Sequence, residues 1–229
     1  MKQSILLYFS ILLANSVFTQ DFSAFEKRNF TSLEGTTLPY RILYPENYDE
    51  SKSYPLLLFL HGAGERGNDN EAQLKHGAQL FLESENRVKY PAIVVFPQCP
   101  KEDYWARVER NREKKEWKYP FFEKPTNALG AVIELLDQLI RKESVDTDRI
   151  YIAGLSMGGM GTFELLSRRP DLFAAATPIC GGGNLLMTER YARNTDFWIF
   201  HGDEDVVVPV DLSRNMYKRL QNLGATAKY

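Results

Sequence analysis

The pattern Gly154-Leu-Ser156-Met-Gly158 has the residue types and spacing of a nucleophile turn. It follows a continuous apolar run at 149–153 and opens a helical pattern at 157–168. The glycines let the chain turn tightly and keep the serine hydroxyl clear of side chains, and the helix start directs backbone N–H groups at it. We therefore predict that Ser156 is a nucleophile. A phosphate-binding turn is the alternative, but no lysine follows as a P-loop requires.

A second glycine-rich turn, His61-Gly-Ala63-Gly64, follows the apolar run at 56–60. Such a turn can aim backbone N–H groups at an oxyanion, together with the N–H of the residue after the nucleophile. The pattern nominates Ala63, with Gly64 as the alternative, and Met157 as oxyanion donors. For the His61 side chain we favour a structural role that orients the turn.

Three acids, Asp203, Glu204 and Asp205, follow the apolar run at 197–200. A carboxylate placed after a strand, at the same edge of the sheet as the nucleophile, can orient a catalytic histidine. Residue type and position alone leave all three as candidates for this role.

The elements that must position these residues alternate between apolar runs and helical patterns. Runs of continuous rather than alternating apolarity are typical of parallel strands covered on both faces, and they occupy 56–60, 92–96, 149–153, 173–180 and 197–200. Apolar residues recur at helical spacing over 126–142, 157–168 and 209–223. This alternation predicts an α/β fold, a three-layer α/β/α sandwich around a mostly parallel sheet.

The segments 25–31 and 38–44 alternate more, as antiparallel edge strands do. No internal repeat and no linker appears, so we predict one domain over 21–229. Composition excludes other classes: 28 Lys+Arg against 30 Asp+Glu argues against nucleic-acid binding. Two cysteines cannot build a disulfide scaffold or a cysteine-only zinc site.

The segment 101–124 departs from this pattern, because it is dense in both charged and aromatic residues. It follows a predicted strand, at the edge where α/β sheets bind ligands. We interpret it as a loop that lines a substrate cleft, with Trp105 and Trp117 as candidate substrate-binding residues. The alternative is a surface excursion whose aromatic side chains pack onto the core.

Residues 1–20 have the features of a signal peptide: Lys2 at the start, a mostly apolar run at 5–17, and small residues before a possible cleavage site. The run is too short and too polar to span a bilayer comfortably, so we expect no stable membrane insertion. The predicted location is secreted or periplasmic in a bacterium. An N-terminal membrane anchor is the alternative.

Four segments, 61–67, 97–100, 148–159 and 201–209, together resemble the α/β-hydrolase superfamily. Within it the chain is similar to secreted esterases of the phospholipase/carboxylesterase and polyhydroxybutyrate-depolymerase-like group, among prolyl-oligopeptidase-family serine hydrolases. The resemblance covers about residues 36–229.

This resemblance implies a carboxylic ester hydrolase that forms an acyl-enzyme at Ser156 and uses no metal or organic cofactor. In the family's acid motif the catalytic aspartate precedes V-V-P by the spacing that Asp205 shows, so the resemblance selects Asp205. The implied substrate is a small-molecule or carbohydrate-linked ester. A serine peptidase of the prolyl-oligopeptidase type and a non-catalytic ligand-binding module remain alternatives.

The implied triad runs Ser, Asp, His along the chain, so its base must follow Asp205. The three histidines, His61, His76 and His201, all precede it. We expect the fold to lack the last strand and helix of the family, and the chain to be a fragment rather than a naturally weakened enzyme. With no base, little or no turnover is expected.

Overall fold

The computed structural model describes residues 21–111, 113, 116–122 and 124–229. The predicted signal peptide lies outside the described residues. Within these ranges no helix combines the length and apolarity needed to cross a membrane.

An eight-stranded sheet forms the centre of the fold. Its strands are β1 (Glu26–Thr31), β2 (Thr37–Leu43), β3 (Tyr54–Leu60), β4 (Ile93–Pro97), β7 (Val145–Leu155), β8 (Ala175–Ile179), β9 (Asp196–Trp198) and β10 (Ala227–Lys228). They lie side by side in the order β1-β2-β4-β3-β7-β8-β9-β10. Strands β1 and β2 pair antiparallel with their neighbours at one edge, and the other six run parallel. The predicted parallel strands and antiparallel edge strands are therefore confirmed.

Two further strands, β5 (Glu109–Asn111) and β6 (Glu116–Lys118), form a small antiparallel hairpin outside the main sheet. This hairpin lies inside the charged and aromatic segment 101–124. The described part of that segment therefore includes a two-stranded excursion.

The helices are α1 (Ser84–Lys89), α2 (Asn127–Lys142), α3 (Met157–Arg168) and α4 (Val210–Asn222). The hydroxyl of Thr126 caps α2 by accepting a hydrogen bond from the N–H of Leu129 at 3.3 Å. Helix α4 ends before Gly224, which has the positive φ of 78° that glycine adopts without strain. The three predicted helices are confirmed to within one residue at each end.

The sheet has different coverings on its two faces. Leu58, Ile152 and Phe197 point to one face and form the main core with side chains of α2, α3 and α4. Alternate strand residues, including Phe59 and Phe96, point to the other face and pack beneath short 3-10 turns at 72–74 and 78–81. The period of two along each strand thus builds the predicted layers.

The second face is less covered towards β9. The side chains of Trp198 and Phe200 are 55% and 41% exposed, and their ring centroids lie 4.9 Å apart. We predicted that the last strand of the sheet would be absent. Instead Ala227–Lys228 pairs in parallel with β9 as a two-residue strand, because the turn after α4 brings the chain back to the sheet.

Candidate active site

Ser156 lies on the turn between β7 and α3 and is half-buried. Its backbone adopts φ 55° and ψ −112°, a conformation that non-glycine residues rarely occupy. The turn is held by a 2.8 Å hydrogen bond from the N–H of Ser156 to the carbonyl of Ile179, at the end of the neighbouring strand. Strain of this kind persists only where the surroundings enforce it, and it is concentrated at functional sites.

Close packing explains why glycines flank this serine. A Cβ on Gly158 would lie 1.8 Å from the carbonyl oxygen of Leu60, and one on Gly154 would lie 2.2 Å from the carbonyl oxygen of Gly158. The first turn of α3 therefore packs directly on the end of β3. Since Leu60 immediately precedes the His61 turn, this packing brings the two predicted glycine turns together.

The predicted oxyanion donors stand at the starts of two helical turns. Ala63 begins a 3-10 turn that runs to Glu65, and Met157 begins α3. The first N–H groups of such turns have no acceptor within the turn, so they are available to an anion. A Cβ placed on Gly62 would lie 3.9 Å from Ser156 Cβ. The 61–65 turn therefore borders the nucleophile.

The His61 ring is buried and both of its nitrogens are engaged. Nδ1 donates to the carbonyl of Gly62 at 2.6 Å, and Nε2 accepts a hydrogen bond from the N–H of Cys99 at 2.9 Å. Burial is the main cause that lowers the pKa of His61 to about 4; the hydrogen bond to Gly62 opposes it, and the nearby Arg66 charge adds to the lowering. The ring is thus neutral at pH 7 and braces the turn, in agreement with the structural role we favoured.

Trp105 needs a correction. Its side chain is fully buried, its indole N–H donates to the carbonyl of His61 at 3.1 Å, and a Cβ on Gly161 would lie 2.4 Å from its Cβ. The residue packs between the His61 turn and α3, so it has no surface to offer a substrate. Its aromatic ring supports the site from beneath, which matches the alternative interpretation of a side chain packed onto the core.

Trp117 lies on β6 and is half-buried. The Arg110 guanidinium lies 4.6 Å from the centre of its ring. The residue also belongs to a small cluster around Met160 and Val208, and these come from the first turns of α3 and from the segment after Asp205. The hairpin therefore rests beside the candidate site, and Trp117 remains a predicted substrate-binding residue.

Asp205 is distinguished from its two acidic neighbours by its hydrogen bonds. Its Oδ1 accepts from the N–H groups of Val207 and Val208 at 2.8 and 2.9 Å, and its Oδ2 lies 3.4 Å from Nε2 of His201. Burial alone would raise the pKa of this carboxyl, but the two N–H groups and the ring outweigh it and hold the pKa below its usual range. Asp205 is thus a fixed, ionised carboxylate.

The other two acids point to solvent. Asp203 is exposed and pairs with Arg214 at 2.8 Å, and Glu204 is exposed. Neither is held as Asp205 is.

The two remaining histidines, His201 and His76, also have polar partners. The His201 side chain is buried, with Nδ1 2.7 Å from Ser213 Oγ and Nε2 2.9 Å from the carbonyl oxygen of Val208. Nε2 of the half-exposed His76 lies 3.5 Å from the Glu65 carboxylate. Among the described residues Ser156 Oγ has no hydrogen-bond partner.

Two residues near the site were not foreseen. Cys180 directly follows β8 and has a φ of 42°. Burial raises the pKa of its thiol and the Asp205 charge adds to this rise, while the Ser156 N–H opposes it. Ser213, on α4, is buried against His201. Neither carries a motif, and only the adjacency of β7, β8 and α4 brings them here. The thiols of Cys99 and Cys180 are free.

A mainly parallel sheet with a strained serine at a strand–helix turn defines an α/β-hydrolase. Residues 32–204 match the esterase family, described as "Putative esterase", and the chain belongs to that family.

A solved "Thermostable Esterase" is similar at 39% identity and a TM-score of 0.81, covering 90% of this chain and 54% of that one. The bifunctional acetylxylan esterase/xylanase XynS20E of Neocallimastix patriciarum is 34% identical over 77 residues, which are 34% of this chain and 11% of that protein. "Probable feruloyl esterase C" of Aspergillus terreus is 26% identical over 186 residues, which are 81% of this chain and 62% of that protein. The chain thus spans less than two thirds of each relative's length.

Proposed function

We propose that this protein is a serine ester hydrolase in which Ser156 attacks the ester carbonyl. The strained Ser156 turn, packed against the 61–65 turn, is the observation that supports this most directly. The N–H groups of Met157 and Ala63, with Gly64 as the alternative to Ala63, stabilise the negative charge of the tetrahedral intermediate. Such donors act without reorganisation, and losing one typically costs about 3 kcal/mol of transition-state stabilisation.

Asp205 is proposed to orient the imidazole base that takes the proton from Ser156 and returns it to the leaving alcohol. Its Oδ1 is occupied by two backbone N–H groups, so Oδ2 is the oxygen left for that base. We assign the role of base to none of the chain's own histidines. His61 and His201 have both ring nitrogens engaged, and His76 pairs with Glu65.

The proposed substrate is a small or carbohydrate-linked ester. Its acyl group, or an aromatic ring that it carries, packs against Trp117. The half-buried indole beside the cluster of Met160 and Val208 supports this assignment. Two relatives are named for esterases that act on acetylxylan and on feruloyl groups. We also propose export through residues 1–20, which mass spectrometry of the mature N-terminus tests, since an intact Met1 would contradict it.

The experiment that tests the site is chemical rescue with imidazole. Hydrolysis of 4-nitrophenyl acetate is followed with and without added imidazole, for the wild-type chain and for Ser156→Ala. If nucleophile, oxyanion donors and acid are assembled and only the base is lacking, imidazole should accelerate the wild type well above the Ser156→Ala background. Equal rates in the two proteins at every imidazole concentration would refute the proposal.

Matched variants identify the acid and the bond type. Asp205→Asn should abolish most of the rescued rate, while Asp203→Asn and the exposed-serine variant Ser84→Ala should retain it. A 4-nitroanilide substrate of the same acyl group separates an esterase from a peptidase, because only the peptidase would cleave the amide at a comparable rate. A binding module would show no Ser156-dependent rate on either substrate.

A further inference from the structure

The acid loop, residues 201–209, is exposed along much of its length. Val206 is 96% exposed, and Gly202, Asp203 and Glu204 also face solvent. A loop of this kind has few apolar contacts to fix it, and such segments open easily. Something other than packing must therefore hold Asp205 in one orientation.

His201 is the buried polar group within this loop. Its side chain has no exposed surface, although the neighbouring residues do. The carbonyl of Val208 can only accept a hydrogen bond, so Nε2, 2.9 Å away, carries a proton and donates it. Asp205 Oδ2 lies 3.4 Å from the same Nε2.

We propose that His201 is a positioning residue that fixes the Asp205 carboxylate through its Nε2–H. The ring holds the carbonyl of Val208, and the N–H of the same Val208 holds Asp205 Oδ1 at 2.9 Å. One buried donor therefore restrains Val208, the residue whose N–H binds the carboxylate. The importance of Asp205 rests on the proposed function, whereas its orientation by His201 does not.

The other side of the ring anchors the loop to the nucleophile turn. Nδ1 lies 2.7 Å from Ser213 Oγ, which donates to the carbonyl of Gly181 at 2.7 Å. Gly181 in turn packs on α3, where a Cβ added to it would lie 2.5 Å from the carbonyl carbon of Gly159. A continuous path thus runs from the acid loop to α3, the helix that begins directly after Ser156, and it sets the acid in register with the nucleophile.

Few other charged groups reach the carboxylate. The Asp205 charge raises the pKa of the Cys180 thiol. On α4, Arg214 forms ion pairs with Asp203 and Asp211. Among the described residues His201 is thus the cation-capable side chain in contact with Asp205.

The test uses two amide side chains that each replace one ring nitrogen. In His201→Gln the amide nitrogen can take the place of Nε2, and in His201→Asn it can take the place of Nδ1. The ¹³C-carboxyl resonance of Asp205, assigned by its loss in Asp205→Asn, is titrated in each protein. We expect the lowered pKa of Asp205 to persist in His201→Gln and to rise towards the ordinary aspartate value in His201→Asn.

Amide hydrogen exchange gives a second readout. The N–H groups of Val207 and Val208 should exchange about tenfold faster in His201→Asn than in the wild type, as expected for loss of one hydrogen bond, and remain protected in His201→Gln. His76→Gln is the control, since that histidine does not contact the loop, and it should change neither readout.

Unchanged titration and exchange in both His201 variants would overturn the proposal, and so would an equal change in the two. If His201→Asn does not fold, Ser213→Ala weakens the same anchor and should raise the pKa of Asp205 to a smaller extent. These measurements need no turnover. A failure of the esterase proposal in the rescue assay is therefore distinguishable from a failure of this one.

Discussion

The nucleophile turn at 154–161 and the acid loop at 201–209 are held in place by opposite means. The turn is fixed by contacts so close that side chains are excluded at Gly154, Gly158 and Gly161. In the loop a Cβ on Gly202 would meet nothing within 4 Å, and order comes from hydrogen bonds to Asp205 and His201.

This difference determines how each region responds to change. A close-packed turn tolerates no added volume, because neighbouring backbone cannot move away. A loop held by buried hydrogen bonds tolerates volume on its outside but not the loss of a donor, since an unpaired buried polar group is costly. The two parts of one site therefore have different sensitivities, and substitutions can separate them.

The largest effect is expected for Gly158→Ala. The added methyl would overlap the carbonyl oxygen of Leu60, which belongs to the backbone of β3 and cannot rotate aside. We expect the free energy of unfolding to fall by about 4 kcal/mol, measured by urea denaturation. Gly202→Ala is the matched control and should stay within about 0.5 kcal/mol of the wild type. Comparable losses in the two variants would break the contrast between the regions.

The second-largest effect is expected in the pH dependence of the free energy of unfolding, which depends on His61. The pKa of His61 is about 4 in the folded chain and about 6.5 when unfolded, so the unfolded state binds a proton first as pH falls. Stability should therefore decrease between pH 6.5 and about 4, by about 3 kcal/mol from this group, and level off below. Urea denaturation across this range measures it.

The matched variants for pH are His61→Asn and His76→Gln. The first keeps a donor towards Gly62 but cannot titrate, so most of the dependence should vanish, whereas the second should retain it. Asp205 acts at lower pH than His61. Because its pKa is lowered in the folded state, its contribution to the free energy of unfolding is present above pH 4 and is lost as pH falls through the folded-state pKa. A wild-type curve that is flat from pH 6.5 to 4 would contradict the assignment to His61.

Ser213→Ala should have an intermediate effect. It removes a buried hydroxyl that contacts His201 Nδ1 and donates to the carbonyl of Gly181, so two buried polar atoms lose their partner. We expect a loss of about 2 kcal/mol in thermal or urea denaturation. The exposed Ser51→Ala serves as the control, and an equally small change in both would argue against hydrogen bonding as what orders the acid loop.

The smallest effect is expected for Asp203→Asn. Its pair with Arg214 is exposed on both sides and should contribute no more than about 0.5 kcal/mol. Added salt should reduce even this difference, because exposed pairs are screened. A stability loss as large as that of Asp205→Asn would remove the distinction we draw between these two carboxylates.

The sequence predicted the nucleophile turn better than the acid loop for the same physical reason. Where packing excludes side chains, the sequence must have glycine, and glycines therefore occur at fixed spacing around Ser156. Burial of a hydrogen-bonded carboxylate requires no such recognisable sequence pattern. The three adjacent acids looked alike, and a family resemblance was needed to select Asp205.

Trp105 shows where sequence reasoning failed. An aromatic residue in a charged loop can face a ligand or the core, and composition does not distinguish the two. In the structure Trp105 faces the core, because the absence of a side chain at Gly161 leaves space on α3 for it. The strands were easier to predict, since continuous apolar runs report burial on both faces. The contact between Ser213 and His201 depends on how α4 packs and could not be inferred from spacing.

The backbone of Ser156 has a consequence for how such a protein changes over generations. Its φ of 55° suits glycine better than serine, so a change of Ser156 to glycine would relieve strain while removing the hydroxyl. Selection for stability and selection for chemistry therefore act in opposite directions at this one codon. Without continuous demand for its reaction, a lineage would be expected to lose the nucleophile early and keep a more stable fold.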